Sequence, residues 1–203
     1  LTMAAYDLSV LEQEIPIPQA TIRAAVYPKA KDLGQPETVV FGNVLKVPCR
    51  YINDDTSINV YDYHVARDTV TVAALYRDVL GGGWEVINPA EYTVSTAIYT
   101  GTTTLRFTTR QVNFSGGFHT IVADITGLQP ERNFARAIRT VLTNAVWGLN
   151  QAVDASSFDA AETALAAIGG LFCDGALTTI RQAQDVLREL CMVRGIRLSM
   201  SAA

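Results

Sequence analysis

The sequence is short of cysteine and histidine, has no surplus of positive charge and holds no long apolar run, and each shortage removes a class of function. Its three cysteines, Cys49, Cys173 and Cys191, are odd in number, far apart and set among apolar neighbours. That pattern predicts buried, reduced thiols, not a disulfide framework. With only His64 and His119 besides, the chain lacks the ligand spacing of a zinc site, and no metal is expected. Sixteen Lys and Arg against twenty Asp and Glu leave a net charge of −4, so nothing electrostatic points to a nucleic-acid partner. The most apolar stretch, 160–172, is interrupted by Glu162 and Gly169-Gly170 and falls short of the roughly 18–20 residues that span a bilayer. Membrane insertion is not expected. Asp7, Glu12 and Glu14 precede the first basic residue, Arg23, so no secretory leader is expected from this stretch. The start at Leu1 and the stop at Ser201-Ala202-Ala203, just after a strand-like run, lead us to expect a piece of a longer protein.

What is present is enough apolar surface to fold. Apolar residues make up 49% of the 203 and charged ones 18%, which offsets the entropy of ordering a backbone of this length. The pattern predicts an α+β fold, an antiparallel β-rich module followed by a small three-helix module ending in a strand. Residues 1–37 read as an extended N-terminal segment, the tail of a preceding domain. Pro16, Pro18 and Pro28 forbid a long helix there, and 21–27 is a strand candidate. Residues 38–127 form the antiparallel β module, with strands expected at 38–44, 59–65, 69–76, 91–99, 103–110 and 119–125. The runs 92–99 and 103–109 are joined by Thr100-Gly101 and predict a hairpin turning near Gly101. Leu105 and Phe107 alternate with Thr104, Arg106 and Thr108, which predicts a sheet with one face on a core and the other in solvent.

Residues 128–203 form the helical (α+β) module. Phe134, Ile138, Val141, Leu142 and Ala145 share one helical face after Pro130, and that helix is expected to end near Gly148. A second helix follows the cap candidates of Asp154-Ala155-Ser156-Ser157 and buries Phe158, Ala161, Leu165 and Ile168, with Gly169-Gly170 stopping it. A third is expected after Thr179-Ile180-Arg181-Gln182, a capping-box spacing, burying Ala183, Val186, Leu187 and Leu190 up to Gly195. Residues 196–200 alternate as a strand. The apolar period switches near 127–130, so the two modules should hold separate cores, with Phe158 and Leu187 as anchors of the second.

Each candidate for chemistry has a plainer structural use. Gly81-Gly82-Gly83 is followed by Trp84-Glu85-Val86 and no Lys-Ser or Lys-Thr, so it reads as a turn and not a phosphate loop. His64 and His119 sit in strand-like surroundings without a nucleophile pattern. Asp54-Asp55-Thr56-Ser57 lacks the alternating carboxylates and central Gly of a calcium loop and reads as a hairpin turn. Cys173-Asp174-Gly175 has no histidine in its module, and Asp159 with Glu162 reads as a solvated helix face. Tyr51, Tyr61, Tyr63, Tyr76, Tyr92 and Tyr99 offer either a contact surface or, more simply, a sheet core. No catalytic, cofactor-binding or metal-binding residue is assigned, and the chain is expected not to be an enzyme.

Three stretches then resemble one family. Val39-Val40-Phe41-Gly42-Asn43-Val44 runs on to Val47-Pro48. After 122–127 come 137–144, Trp147-Gly148-Leu149 and 153–158, and finally 184–190 with Arg194-Gly195-Ile196-Arg197-Leu198. In this order they are similar to tail-tip and baseplate-hub proteins of long-tailed bacteriophages, the host-specificity group, over about 38–199. The first helix departs from the Asn-Pro start of many relatives, with Pro130 ahead of Asn133-Phe134. The resemblance implies a virion structural protein made in the host bacterial cytoplasm, without catalytic residues. Its implied partners are copies of itself in a ring, threefold favoured, and other tail proteins. A head-tail connector or adaptor is the alternative within the virion, and a host-glycan-binding module, motivated by the tyrosines and Trp84, is the alternative outside it.

Overall fold

A computed structural model of the chain describes residues 2–5, 14–79, 82–112, 117–127, 132–169, 172–192 and 196–200. In chain order the first elements are β1 (Thr2–Ala5), β2 (Pro16–Ile17), β3 (Val39–Phe41), β4 (Asn43–Pro48), β5 (Arg50–Asp55), β6 (Val60–Arg67), β7 (Thr71–Val79) and β8 (Gly83–Val86). A short 3-10 turn (Pro89–Glu91) leads to β9 (Tyr92–Ser95), β10 (Thr102–Phe107) and β11 (Ile121–Thr126). Then follow α1 (Phe134–Thr143), α2 (Ala155–Ile168), β12 (Gly175–Leu177), β13 (Arg181–Gln182), α3 (Ala183–Met192) and β14 (Arg197–Met200). The α+β class is as expected. Two compact units divide the chain: residues 21–128 with 175–179 form a β unit, and residues 1–20, 129–174 and 180–203 form a helical unit.

The β unit is a sandwich of two four-stranded sheets, β4-β11-β7-β8 and β5-β6-β10-β9. Every ladder within them is antiparallel. Between them lie Val47, Tyr51, Tyr63, Val65, Leu75, Leu105, Phe107, Ile121, Ala123 and Ile125. Tyr51 stacks on Tyr63 with ring centres 4.6 Å apart, and Phe107 meets Tyr63 edge-on at 5.6 Å. Each such side chain, fully removed from water, stabilises the fold by about 1.5–3 kcal/mol before entropy is counted. The β5–β6 hairpin turns where the Asp54-Asp55 reading put it: the Asp55 carboxylate accepts from the backbone N–H (3.2 Å) and hydroxyl (2.5 Å) of Ser57.

Several expectations need correcting. The strand expected over 38–44 is two strands, because Gly42 adopts φ 62° and redirects the chain from β3, which pairs with β12, to β4, which pairs with β11. The 21–27 stretch is a turn held by Arg23 O, which accepts from the N–H groups of Val26 and Tyr27; only Thr21 bridges, to Pro36. β9 stops at Ser95, so the hairpin is real but its loop is longer than a tight turn. The largest correction concerns the outer face of β5-β6-β10-β9, which was expected in solvent. Asp62, His64 and Thr104 on that face are fully buried. They are covered by the segment 21–38, whose Ile22 and Tyr27 pack on Ile52, whose Tyr27 hydroxyl donates to Glu37 (3.2 Å), and whose Thr38 N–H donates to His64 Nε2 (3.2 Å). The segment read as the tail of a preceding domain is thus divided, 1–20 going to the helical unit and 21–37 to the β unit.

In the helical unit Asn133 caps α1, its side-chain oxygen accepting from Ala135 N–H (2.9 Å). The helix ends at Thr143, before Gly148, because Asn144 Oδ1 accepts from the N–H groups of Val146 and Trp147 and turns the chain. Gly148 is required there, since a Cβ would collide with Val141 O. Asp154 caps α2, and Phe158, Ala161 and Leu165 are buried, whereas Ile168, expected inside, is 65% exposed. α3 starts at Ala183, since Arg181 and Gln182, expected as its capping box, pair as β13 with Ile17 and Pro16 of β2. Ala183, Val186 and Leu187 are buried and Leu190 only half so. β1 and β14 pair in parallel, Thr2 beside Arg197 and Ala5 beside Met200. Pro130, Gly170, Arg194 and Gly195, which figured in the helix expectations, lie outside the described residues.

Candidate functional site

The residues singled out for chemistry fall into three settings in the β unit. One is a surface cleft, one is enclosed and one is an open edge.

The first is a cleft of about 280 Å³ lined by Lys31, Cys49, Tyr51, Tyr63, Phe118 and His119, among others. It brings a thiol and an imidazole to one place, although they are 70 positions apart in the sequence. Asp78 Oδ1 pairs with His119 Nδ1 (3.0 Å) and accepts from Thr120 N–H (2.6 Å), so the acid fixes both the ring and its loop. Cys49 is not an activated nucleophile. Burial pushes its thiol up to about 12, only weakly opposed by Arg50, whereas a reactive cysteine needs its thiolate stabilised. Tyr51 and Tyr63 take the core role foreseen as the simpler of two, and Tyr61 does too; burial pushes all the phenol protons of Tyr51 and Tyr63 well above the usual range.

The second is the polar layer beneath 21–38. Glu37 accepts from Tyr27 and from Arg67 (2.8 Å), and Asp62 is held by both Nε (2.7 Å) and an amino group (2.9 Å) of Arg106 and by Asn53 (3.1 Å). His64 is fully buried, and desolvation, helped by Arg67 and Arg50, lowers its pKa to about 3. It is neutral and enclosed.

At the rim, Asp54 accepts from Arg110 (3.1 and 2.5 Å) and Tyr51 (2.9 Å) and pairs with Lys31 (3.2 Å). Burial works to raise its pKa, but these partners outweigh it and hold the carboxyl below the ordinary value. With Asp55 paired to Lys29 and Ser57, these acids are engaged by the chain's own groups. Among the described residues no cluster of three metal-ligating side chains occurs.

The helical unit treats its candidates the same way. Asp174 forms a two-pronged pair with Arg132 (2.8 Å each), whose guanidinium lies 4.0 Å over Phe172. Burial raises the Cys173 thiol to about 11, with Asp174 adding to it. Asp159 and Glu162, expected to be simply solvated, instead receive Arg139 (2.8 Å) and Arg136 (2.8 Å) and tie α2 to α1.

The third setting is open. β8 is the last strand of its sheet, and all four of its residues, Gly83, Trp84, Glu85 and Val86, are exposed, Trp84 by 45% and Val86 by 61%. Trp84 and Val86 alternate onto one face beside Asp78 and Tyr76. At the matching end of the other sheet β9 exposes Val94 by 41%. Arg77 flanks this edge, bound to Glu85 (3.0 Å) and Glu91 (3.0 Å). Gly82 and Gly83 lie at the turn into β8, with Gly82 at φ 84°, which fits the turn reading; Gly81 is outside the described residues. An open strand edge with unpaired backbone groups and apolar side chains is a template for a partner.

The sequence signalled Trp84 but not that β8 would be an edge. Neither could it show that Glu37, Arg50 and Arg67 surround His64, since charged residues in separate segments carry no mark of their meeting. No family model, curated protein or solved structure matches the chain.

Proposed function

We propose that the chain is a virion structural protein of a long-tailed phage, placed in the tail tip or baseplate hub, which acts by assembling with copies of itself and with other tail proteins. The observation that carries this reading is the β8 edge, where Trp84 and Val86 are exposed and no further strand pairs among the described residues. Strand edges of this kind are normally blunted by charge, proline or cover; here Arg77, Glu85 and Glu91 put charge on the edge, yet the Trp84 and Val86 side chains stay exposed, which fits a surface meant to be occupied. The ordered motifs across 38–199 that resemble tail-hub proteins supply the kind of assembly. In it the intact parent forms a closed ring, most simply threefold, each subunit offering two different patches. A connector or adaptor ring is the runner-up and would use the same edge. The glycan-binding reading now rests on Trp84 and the partly buried Tyr76, Tyr92 and Tyr99, since Tyr51, Tyr61 and Tyr63 face the core.

The test is direct. The full-length protein is expected in purified virions and as a ring in images of the tail end, and Trp84→Ser with Val86→Thr should leave it folded while lowering its oligomeric mass. A folded parent that stays monomeric and is absent from virions would overturn the proposal.

A further inference from the structure

The covered face of β5-β6-β10-β9 carries a cross-strand row of Arg50, His64 and Thr104, fixed by the registers Arg50 to His64 and His64 to Thr104. Side chains opposite one another on one face stand with Cβ atoms about 4.5–5.5 Å apart, so Arg50 and His64 are immediate neighbours. His64, Thr104 and the overlying Thr38 are fully buried.

The chemistry of the row is one-sided. Thr38 N–H donates to His64 Nε2 (3.2 Å), which makes Nε2 the acceptor and leaves the ring proton on Nδ1. Among the described residues that Nδ1 is buried without a hydrogen-bond partner, and so are Arg50 Nε and Thr38 Oγ1. Arg50 uses an amino nitrogen on the carbonyl of Thr178 (2.6 Å), and no carboxylate among the described residues pairs with it. The acids of the same layer are already engaged, Glu37 by Arg67 and Tyr27 and Asp62 by Arg106 and Asn53. Two side chains paired in register thus each bury an N–H nitrogen that no described group accepts from, beside a guanidinium whose residue is itself only partly buried. Donors left so are costly, and side by side they also repel.

We infer that a small monovalent anion of halide type binds between Arg50 Nε and His64 Nδ1, with the Thr38 hydroxyl turned toward it. An anion accepts from both nitrogens and offsets the guanidinium charge. A water molecule could accept from both nitrogens and donate to the Thr38 hydroxyl, but it would bring no charge to offset the guanidinium. The inference is independent of the assembly proposed above, because the β8 edge takes no part in it.

Crystals of the whole chain grown in sodium bromide test it without any substitution: an anomalous bromide peak between Arg50 and His64 is the expected result. In solution, replacing gluconate by chloride at equal ionic strength should raise Tm saturably, by about 2–4 °C. Arg50→Gln should abolish that rise. A water without bromide signal at that point, or melting that is the same in chloride and gluconate, overturns the inference.

Discussion

The two sheets of the β unit share one core but treat their outer faces in opposite ways. β5-β6-β10-β9 has a third layer over it that meets the sheet through Ile22 and Tyr27 on Ile52 and also through polar groups: Asp62, His64 and Thr104 are enclosed, with Glu37 and Arg67 in the same layer. β4-β11-β7-β8 has Trp84 and Val86 open at its edge. Apolar side chains outside and polar ones inside reverse the ordinary arrangement, and the reversal separates two tasks. The covered face fixes a unique packing through directional bonds, whereas the open face keeps apolar surface for something else to cover.

Substitutions can break this comparison, beginning with the core that both sheets share. Phe107→Ala should cost about 3–5 kcal/mol in chemical denaturation, as truncation of a fully buried aromatic does. Phe158→Ala and Leu187→Ala should cost about 2–5 kcal/mol in the helical unit, where both side chains are buried. On the covered face Ile52→Ala should fall in that same range, since Ile52 is fully enclosed by Ile22 and Tyr27. A cost near zero would mean that segment 21–38 does not stay on the sheet. Asp62→Ala should cost roughly 1–3 kcal/mol, less than a fully buried pair because the Arg106 side chain is 39% exposed.

A pH titration sharpens the contrast further. The pKa of His64 lies at about 3 in the folded chain against an ordinary 6.5, so below about pH 6.5 the unfolded chain binds a proton that the folded one refuses. In gluconate, with no halide beside the ring, stability should decline as pH falls from 6.5 toward 3, and His64→Phe should remove that part of the slope. The smallest effect belongs to the open face: Trp84→Ser should change stability by no more than about 0.5 kcal/mol. A large loss there would show that Trp84 is structural and would remove the basis for an assembly surface.

Local signals in the sequence were enough to find the helices, the hairpins and the buried face holding Leu105 and Phe107, since period and turn residues are properties of neighbours in the chain. They failed where distant segments decide. Nothing near Asp62 or His64 shows that residues 21–38 will cover them, and a half-polar alternation reads the same under solvent or under a polar layer. Arg181-Gln182 has helix-start chemistry, but pairing with β2 takes it into a strand first. Gly175-Ala176-Leu177 is too short and plain to announce a strand, and it becomes one only because Phe41, Val40 and Val39 stand opposite. As for the candidate site, Cys49 and Cys173 are packed as the sequence suggests, Cys191 is only half-buried, and the shared cleft of Cys49 and His119 and the openness of β8 are consequences of topology.

The placement of β12 has a consequence for the order of synthesis. Its residues, 175–177, complete β3 in the β unit, although both α1 and α2 precede them in the chain. A ribosome making this protein therefore releases every strand of the sandwich well before the piece that finishes β3. The helical unit waits longer still, because β1 finds its partner only when residues 197–200 emerge. Long-range pairing of this kind is slow and leaves edges open meanwhile. Nascent chains arrested shortly before residue 175 should thus be more easily cut by protease around 39–41 than chains arrested after residue 179 has left the exit tunnel, and neither unit can be obtained whole by a single cut at 128.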